Sequence, residues 1–269
     1  MPAIWTHLIH GDRVLRELNI GFEEDSLFLF HLGTQGPNVF FYHENEEYKT
    51  AGHRLHNHKC GKFLSYLSEN LFEDFSPYVY GIICHHTLDR LTHPYIISRA
   101  GNSSKHTDLE EVIDIQMVKR FLKISIDTLN PLGILPKEVP EIIDQLYATF
   151  LYDVFRIDGI SFSEAYGRMR EMLTRKDRSA LANIFRGFTK IFTPGSSQKQ
   201  LLLNEDVLNL NKRSWYHPTT GWESRATFLE LFDNAVEEAA KIILPSLKTH
   251  RPPQIPDFSF MTNLPCVDY

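Results

Sequence analysis

Cysteine is scarce in this chain. There are three in 269 residues (Cys60, Cys84, Cys266), an odd number with no CxxC pair. A disulfide scaffold is excluded, and a reducing, intracellular setting is the simplest reading. Positive charge is also short: 28 Lys and Arg stand against 34 Asp and Glu, a net charge of −6. That leaves little for a surface that grips nucleic-acid phosphates, so no nucleic-acid partner is expected. No apolar run approaches the ~20 residues that cross a bilayer. The segment from Met1 to His7 lacks the basic and then apolar pattern of a signal peptide. A cytoplasmic protein is the expectation. With 42% hydrophobic and 23% charged residues, disorder is excluded as the main state. A mass of 31.3 kDa suits one large domain, or a domain with an appended lobe.

Strand signals are weak throughout, whereas helical periodicity recurs. Ile4, Leu8, Val14, Leu15 and Leu18 predict a helix over Ala3 to Leu18, closed by Gly21. Ser26 to Leu32 reads as one or two helical turns, and Gly33 to Asn38 as a loop. Phe40, Phe41 and Tyr42 precede a polar stretch, His43 to Thr50. Helices are expected over Leu55 to Leu71 and over Tyr78 to about His93, the second opened by Pro77 and ended or kinked before Pro94. Ala100 to Lys105 reads as a loop and Thr107 to Ile126 as a helix. Three helical patterns follow between Glu138 and Phe192, with starts near Pro136, Ser161 and Asp177. Ser161 with Glu164 fits a capping box. Gly195-Ser196-Ser197 reads as a linker. Thr227 to Leu244 is amphipathic and stopped by Pro245, and the tail after Arg251 is Pro-rich. The fold class is all-α, with a core over residues 1–200 and a C-terminal helical segment and tail over 201–269 packed on it.

Histidine is what the chain has in excess. Of 13 in all, eleven lie between His7 and His106. Imidazole is the commonest metal ligand, so local crowding asks for a chemical reason. The sharpest pattern is His85-His86-x-x-Asp89-x-x-x-His93. On a helix this puts His85, Asp89 and His93 on one face, a reasonable cation platform. The plain alternative is a helix whose buried polar groups are hydrogen-bonded to one another. His106 and Glu110 repeat the spacing, but Thr107-x-x-Glu110 also fits a capping box, and taken alone the cap is the simpler reading. Among His53, His56 and His58, His56 is the one expected to face inward beside Leu55. His7 lies on the first helical face, and Asn38 follows Pro37 where a turn can aim it inward. Buried carboxylates among several imidazoles are costly without a counter-charge, which divalent cations would supply.

In this order the motifs resemble the zinc-dependent phospholipase C family, whose all-helical fold is shared with trinuclear-zinc single-strand nucleases. The likeness covers residues 1–126, and the remainder resembles uncharacterised bacterial relatives. It implies a multi-helix bundle around a multinuclear site with metal ligands His7, Asn38, His56, His85, Asp89, His93, His106 and Glu110. It implies Asp89 as a bridging carboxylate, two zinc ions with a third as the alternative, and phosphodiester hydrolysis by metal-activated water. The substrate would be a phosphate ester, either a phospholipid head group or a small soluble ester. There are two departures. Asn38 stands where the family has an aspartate that holds zinc and is a candidate base, so the catalytic pair would be Asn38 and Asp89 with the first weakened. The family's mature N-terminal tryptophan binds the third zinc, whereas Trp5 lies within this chain, which favours the two-ion site. The rival reading is a metal-binding relative that has lost turnover. A helical phosphohydrolase with adjacent His and Asp is disfavoured, because His86 rather than an aspartate follows His85.

Overall fold

In the computed structural model, the described residues are 4–101, 104–185 and 201–266, with the side chains of 104 and 176–185 left aside. Among them the chain is mostly helical. The elements are α1 (Ile4–Glu17), α2 (Glu24–Gln35), a 3₁₀ segment (Gly36–Tyr42), α3 (Glu46–Asn57), α4 (Cys60–Ala100), α5 (Ser104–Phe121), α6 (Glu141–Phe155), α7 (Phe162–Phe185) and α8 (Phe228–Thr249). A two-stranded antiparallel hairpin, β1 (Trp215–Tyr216) and β2 (Glu223–Ser224), precedes α8. No helix among the described residues is long and apolar enough to cross a membrane.

Helix α4 is the axis. From Pro77 to Ile96 nearly every side chain is buried, as expected of a helix packed on all sides. α2 lies against it closely because two glycines meet: a Cβ on Gly33 would strike Tyr78 and Gly81, and one on Gly81 would strike Phe30 and Gly33. α1, α5 and α8 cover its other sides. Tyr147, Phe162, Phe40, Phe63 and Phe150 form an aromatic cluster joining α6 and α7 to the 3₁₀ segment and α4. Each such ring, fully buried, contributes ~1.5–3 kcal/mol.

Several expected boundaries move. α2 runs through Gly33 and Thr34 to Gln35, because close packing on α4 overrides the loop-like composition. The polar stretch after His43 begins α3, where the Asn45 side chain accepts the Glu47 N–H at 2.8 Å. The helix expected over Leu55 to Leu71 is two helices, broken at Lys59, whose φ of 53° no helix interior tolerates. Pro94 does not stop α4. Burial on both sides carries the helix over the lost hydrogen bond, and Gly101, at φ 65°, ends it. Pro77 instead marks a kink, with Phe75 two residues earlier at φ −127° and ψ 30°. Pro245 likewise lies inside α8, which continues to Thr249. The helix start expected at Asp177 falls within α7. Phe192 and the Gly195-Ser196-Ser197 linker lie outside the described residues. Ser161 does cap α7, accepting the Glu164 N–H at 3.0 Å. The Glu164 carboxylate does not complete the box, for it binds Tyr48 and His43.

Candidate metal centre

Three consecutive inward positions of α4, His85, Asp89 and His93, form a stripe along one face. At 1.5 Å per residue the stripe is about 12 Å long, room for more than one ion. Other elements bring the remaining ligand types to it: His7 from α1, Asn38 from the 3₁₀ segment, His56 from α3, and His106 and Glu110 from α5. All eight residues singled out in the sequence therefore converge on one region.

They fall into two groups. In the inner group, His7 Nε2 lies 3.2 Å from Asp89 Oδ1, and His85 Nε2 lies 3.2 Å from Asp89 Oδ2. His56 Nε2 stands 3.8 Å from the same Oδ2 and 3.0 Å from Asn38 Oδ1. The His7 and His85 rings stack at 4.4 Å. In the outer group, Glu110 Oε1 lies 3.5 Å from His93 Nε2 and 3.4 Å from His106 Nε2. His93 Nδ1, 3.5 Å from Asp89 Oδ1, links the groups. Within each trio, His7–His85–Asp89 and His93–His106–Glu110, one ligand atom from each residue lies within 4.8 Å of the others, so each could hold a metal ion.

The second ring nitrogen decides the chemistry. His85 Nδ1 is 3.0 Å from the Thr34 carbonyl, His56 Nδ1 is 2.6 Å from that of Gly52, and His106 Nδ1 is 3.1 Å from that of Gly101. A carbonyl only accepts, so each Nδ1 carries a proton, and in the neutral form of such a ring Nε2 is bare. That nitrogen then faces a carboxylate oxygen, lone pair against lone pair. His85 Nε2 and Asp89 Oδ2 accordingly make no hydrogen bond, although they are close and buried. A second proton or a metal ion must lie between such atoms. Two ligands of one tetrahedral zinc stand ~3.3 Å apart, close to the 3.2–3.5 Å between imidazole nitrogen and carboxylate oxygen in the two groups.

A second proton is unfavourable in the inner group. Burial drives His56 down to about 3 and lowers His85 despite Asp89. Asp89 is held well below the usual carboxylate range: its burial opposes ionisation, but the surrounding imidazoles outweigh it. Glu110 falls to about 2 for the same reason, with His106 and His93 overcoming its burial. His93 alone is raised, to about 9, since Asp89 and Glu110 outweigh its burial. The charge of His93 can offset only one of the two buried carboxylates that flank it, and a divalent cation would supply more.

A cleft of about 640 Å³ opens on the outer group and is lined by Asn38, His56, His93, His106 and Glu110. Asp89, His7 and His85 do not line it. Its walls add Phe41, Ile97 and Met261 as apolar groups, and Asn57, Thr219 and Thr262 as polar ones. His53 also lines it, and both His53 and His58 are exposed.

The capping reading of Thr107 and Glu110 is overturned. α5 begins at Ser104, so Thr107 is inside the helix, and Glu110 turns to the two imidazoles. Sequence reasoning also passed over residues that hold the ligands. Gly36, at φ 50°, has no side chain because a Cβ would enter the His85 ring. Asp114, one turn beyond Glu110, accepts the Trp5 and Thr6 N–H groups at 3.0 and 2.7 Å, and so anchors the start of α1 and with it His7. Phe260, on the C-terminal tail, packs against His56, His85 and His86. The i, i+4 step from Glu110 to Asp114 was readable in the sequence; Phe260 had no such signal.

No protein-family model, curated protein or solved structure matches the chain.

Proposed function

We propose that this chain is a zinc-dependent hydrolase of phosphate esters, built as a phospholipase C-like helical bundle around two metal ions. The observation that supports it is the crowding of imidazole nitrogens against buried carboxylate oxygens, with His85 Nε2 and Asp89 Oδ2 facing each other 3.2 Å apart without a hydrogen bond, an arrangement that cations between them would relieve. Mixed imidazole and carboxylate donors suit zinc. The inner ion would be held by His7, His85 and Asp89 with His56 and Asn38 alongside, and the outer by His93, His106 and Glu110. Bound divalent ions supply Lewis-acid chemistry, neutralising phosphoryl charge and acidifying water.

The chain's own residues do the rest. The carbonyls of Thr34, Gly52 and Gly101 fix the tautomers of His85, His56 and His106. Asp89 and His93 tie the two groups into one unit. The cleft is of a size for a small ester or a lipid head group. Neither Lys nor Arg lines it among the described residues, so charge to receive a phosphate must come from the metal centre. Asn57, Thr219 and Thr262 offer neutral donors for the ester's polar arm. Asn38 lines the cleft but has no basicity, and Asp89 lies beneath it. This favours a second reading, a metal-binding relative with little or no turnover.

Native purification without chelator, elemental analysis, and hydrolysis of a generic phosphodiester by the zinc-loaded protein test both. About two zinc per chain with turnover supports the first reading, and zinc without turnover the second. A fully folded, metal-free protein that takes up no zinc sinks both.

A further inference from the structure

Cys60 and Cys266 are far apart in sequence and play no part in the metal centre. Cys60 is the first residue of α4 and is buried, while Cys266 is partly exposed on the C-terminal tail. Asp257 brings them together: its Oδ1 accepts the Gly61 N–H at 2.6 Å, and its carbonyl accepts the Cys266 N–H at 3.0 Å. Gly61 has no side chain because a Cβ there would meet the Asp257 backbone. Phe258 and Pro265 pair across this turn of the tail. The Cys266 thiol also lies 4.0 Å from the Asn57 carbonyl, at the end of α3. Asp257 and Asn57 thus place Cys266 at the α3–α4 junction, beside the first turn of α4 that Cys60 opens.

We propose that Cys60 and Cys266 form a reversible disulfide, made by a hydroperoxide oxidant, that fastens the C-terminal tail to the start of α4. The division of labour follows from their surroundings. Cys266 is the accessible partner, and its thiol is lowered by the hydrogen bonds from Cys60, as for thiols at helix N-termini generally. Cys60 is raised by its bond to Cys266 and by burial, and suits the resolving role. The Cys266 thiolate attacks one peroxide oxygen, so an S–O bond forms and the O–O bond breaks. The leaving hydroxide takes up a proton and departs as water. Cys60 loses its proton and attacks the sulfenic sulfur, so the S–S bond forms, the S–O bond breaks and a second water departs. Two thiols and one hydrogen peroxide become one disulfide and two waters. The fastened segment carries Phe260, which packs on His56 and His85, and Met261 and Thr262, which wall the cleft. Oxidation therefore stiffens one side of the site without touching a ligand. The third cysteine, Cys84, is buried within α4 and serves as an internal control.

The test uses the full chain under native conditions with stoichiometric hydrogen peroxide, followed by thiol alkylation and non-reducing peptide mapping. The expected product is a single Cys60–Cys266 cross-link, reversed by dithiothreitol, with Cys84 alkylated only after unfolding. The oxidised form should melt several degrees higher, and Cys266→Ser should abolish both the cross-link and the shift. Cys60 is buried and its replacement risks misfolding, so the control is carried by Cys266, on the tail. Overoxidation of Cys266 without a cross-link, a disulfide formed only between chains, or the same melting shift in Cys266→Ser would each overturn the proposal.

Discussion

The inner and outer groups of candidate ligands share a helix but not an environment. In the inner group, Asp89 is 2% exposed and His85 not at all, and neither reaches the cleft. In the outer group, His106 and Glu110 are 14% and 12% exposed and form the cleft wall. One carboxylate in each group does similar work against different losses. Asp89 faces four imidazoles and has no access to water, so its charge depends wholly on its partners. Glu110 faces two and keeps some solvent. On the proposed reading, the contrast assigns holding to the inner group and exchange with ligand to the outer one.

The change expected to do most damage is Asp89→Asn. It leaves the fold's shape but removes the charge that four imidazoles surround, and loss of one partner from a buried charge cluster costs ~3–5 kcal/mol. Both ions should be lost, and the melting temperature should fall far more than in Asn38→Ala, which removes only a neutral oxygen. Thermal melts with and without chelator compare the two. Equal effects would mean that the inner group is not organised about Asp89.

Next in size is the split between the groups. Glu110→Gln and His106→Ala should each empty the outer position and leave the inner one filled, halving the zinc content. If Glu110 only shaped a helix start, glutamine would replace it silently. A graded chelator titration of the unaltered protein should likewise release the outer ion first. Simultaneous release of both ions, or full occupancy in the two variants, would erase the distinction between the groups.

Asn38→Asp is expected to act more gently and in the opposite direction. It places a charge 3.0 Å from His56 Nε2, at a position that lines the cleft. The inner ion should bind more tightly, and phosphodiester turnover should rise or appear. Tighter zinc binding with no turnover would favour the non-catalytic reading.

Much of this centre was legible in the sequence because helical spacing is local. The i, i+4 relations of His85, Asp89 and His93, and of His106 and Glu110, survive any tertiary arrangement. Which local device would win was not legible: Thr107 looks like a cap only until the helix is seen to start at Ser104. The boundaries that moved share a cause. Gly33, Pro94 and Pro245 are helix-breaking by composition, yet each lies in a helix packed against others. The break that does occur, at Lys59, carries no such signal. Phe260 and Cys266 reach their partners across most of the chain, and no window of sequence holds both ends of such a contact.

The smallest effect on the metal centre is expected from Asp114, which separates positioning from ligation. Its oxygens are occupied by the first N–H groups of α1 and by the Thr6 hydroxyl, so it is not free to bind an ion. Burial raises its pKa to about 6 although those donors pull it down. The folded protein therefore binds this proton more tightly than the unfolded chain, whose carboxyl titrates near 4. The sign follows: the protonated group's contribution is complete below about 4 and lost as the pH rises through 6. Asparagine keeps an acceptor for Thr6 but cannot titrate, and it loses the bond to Trp5, at ~1 kcal/mol. Asp114→Asn should then be less stable than the parent near pH 4 and at least as stable as it at pH 8, with zinc content unchanged. Melts at the two pH values, with zinc measured on the same samples at pH 8, decide the matter. A loss of one zinc would make Asp114 part of the centre rather than the anchor of His7.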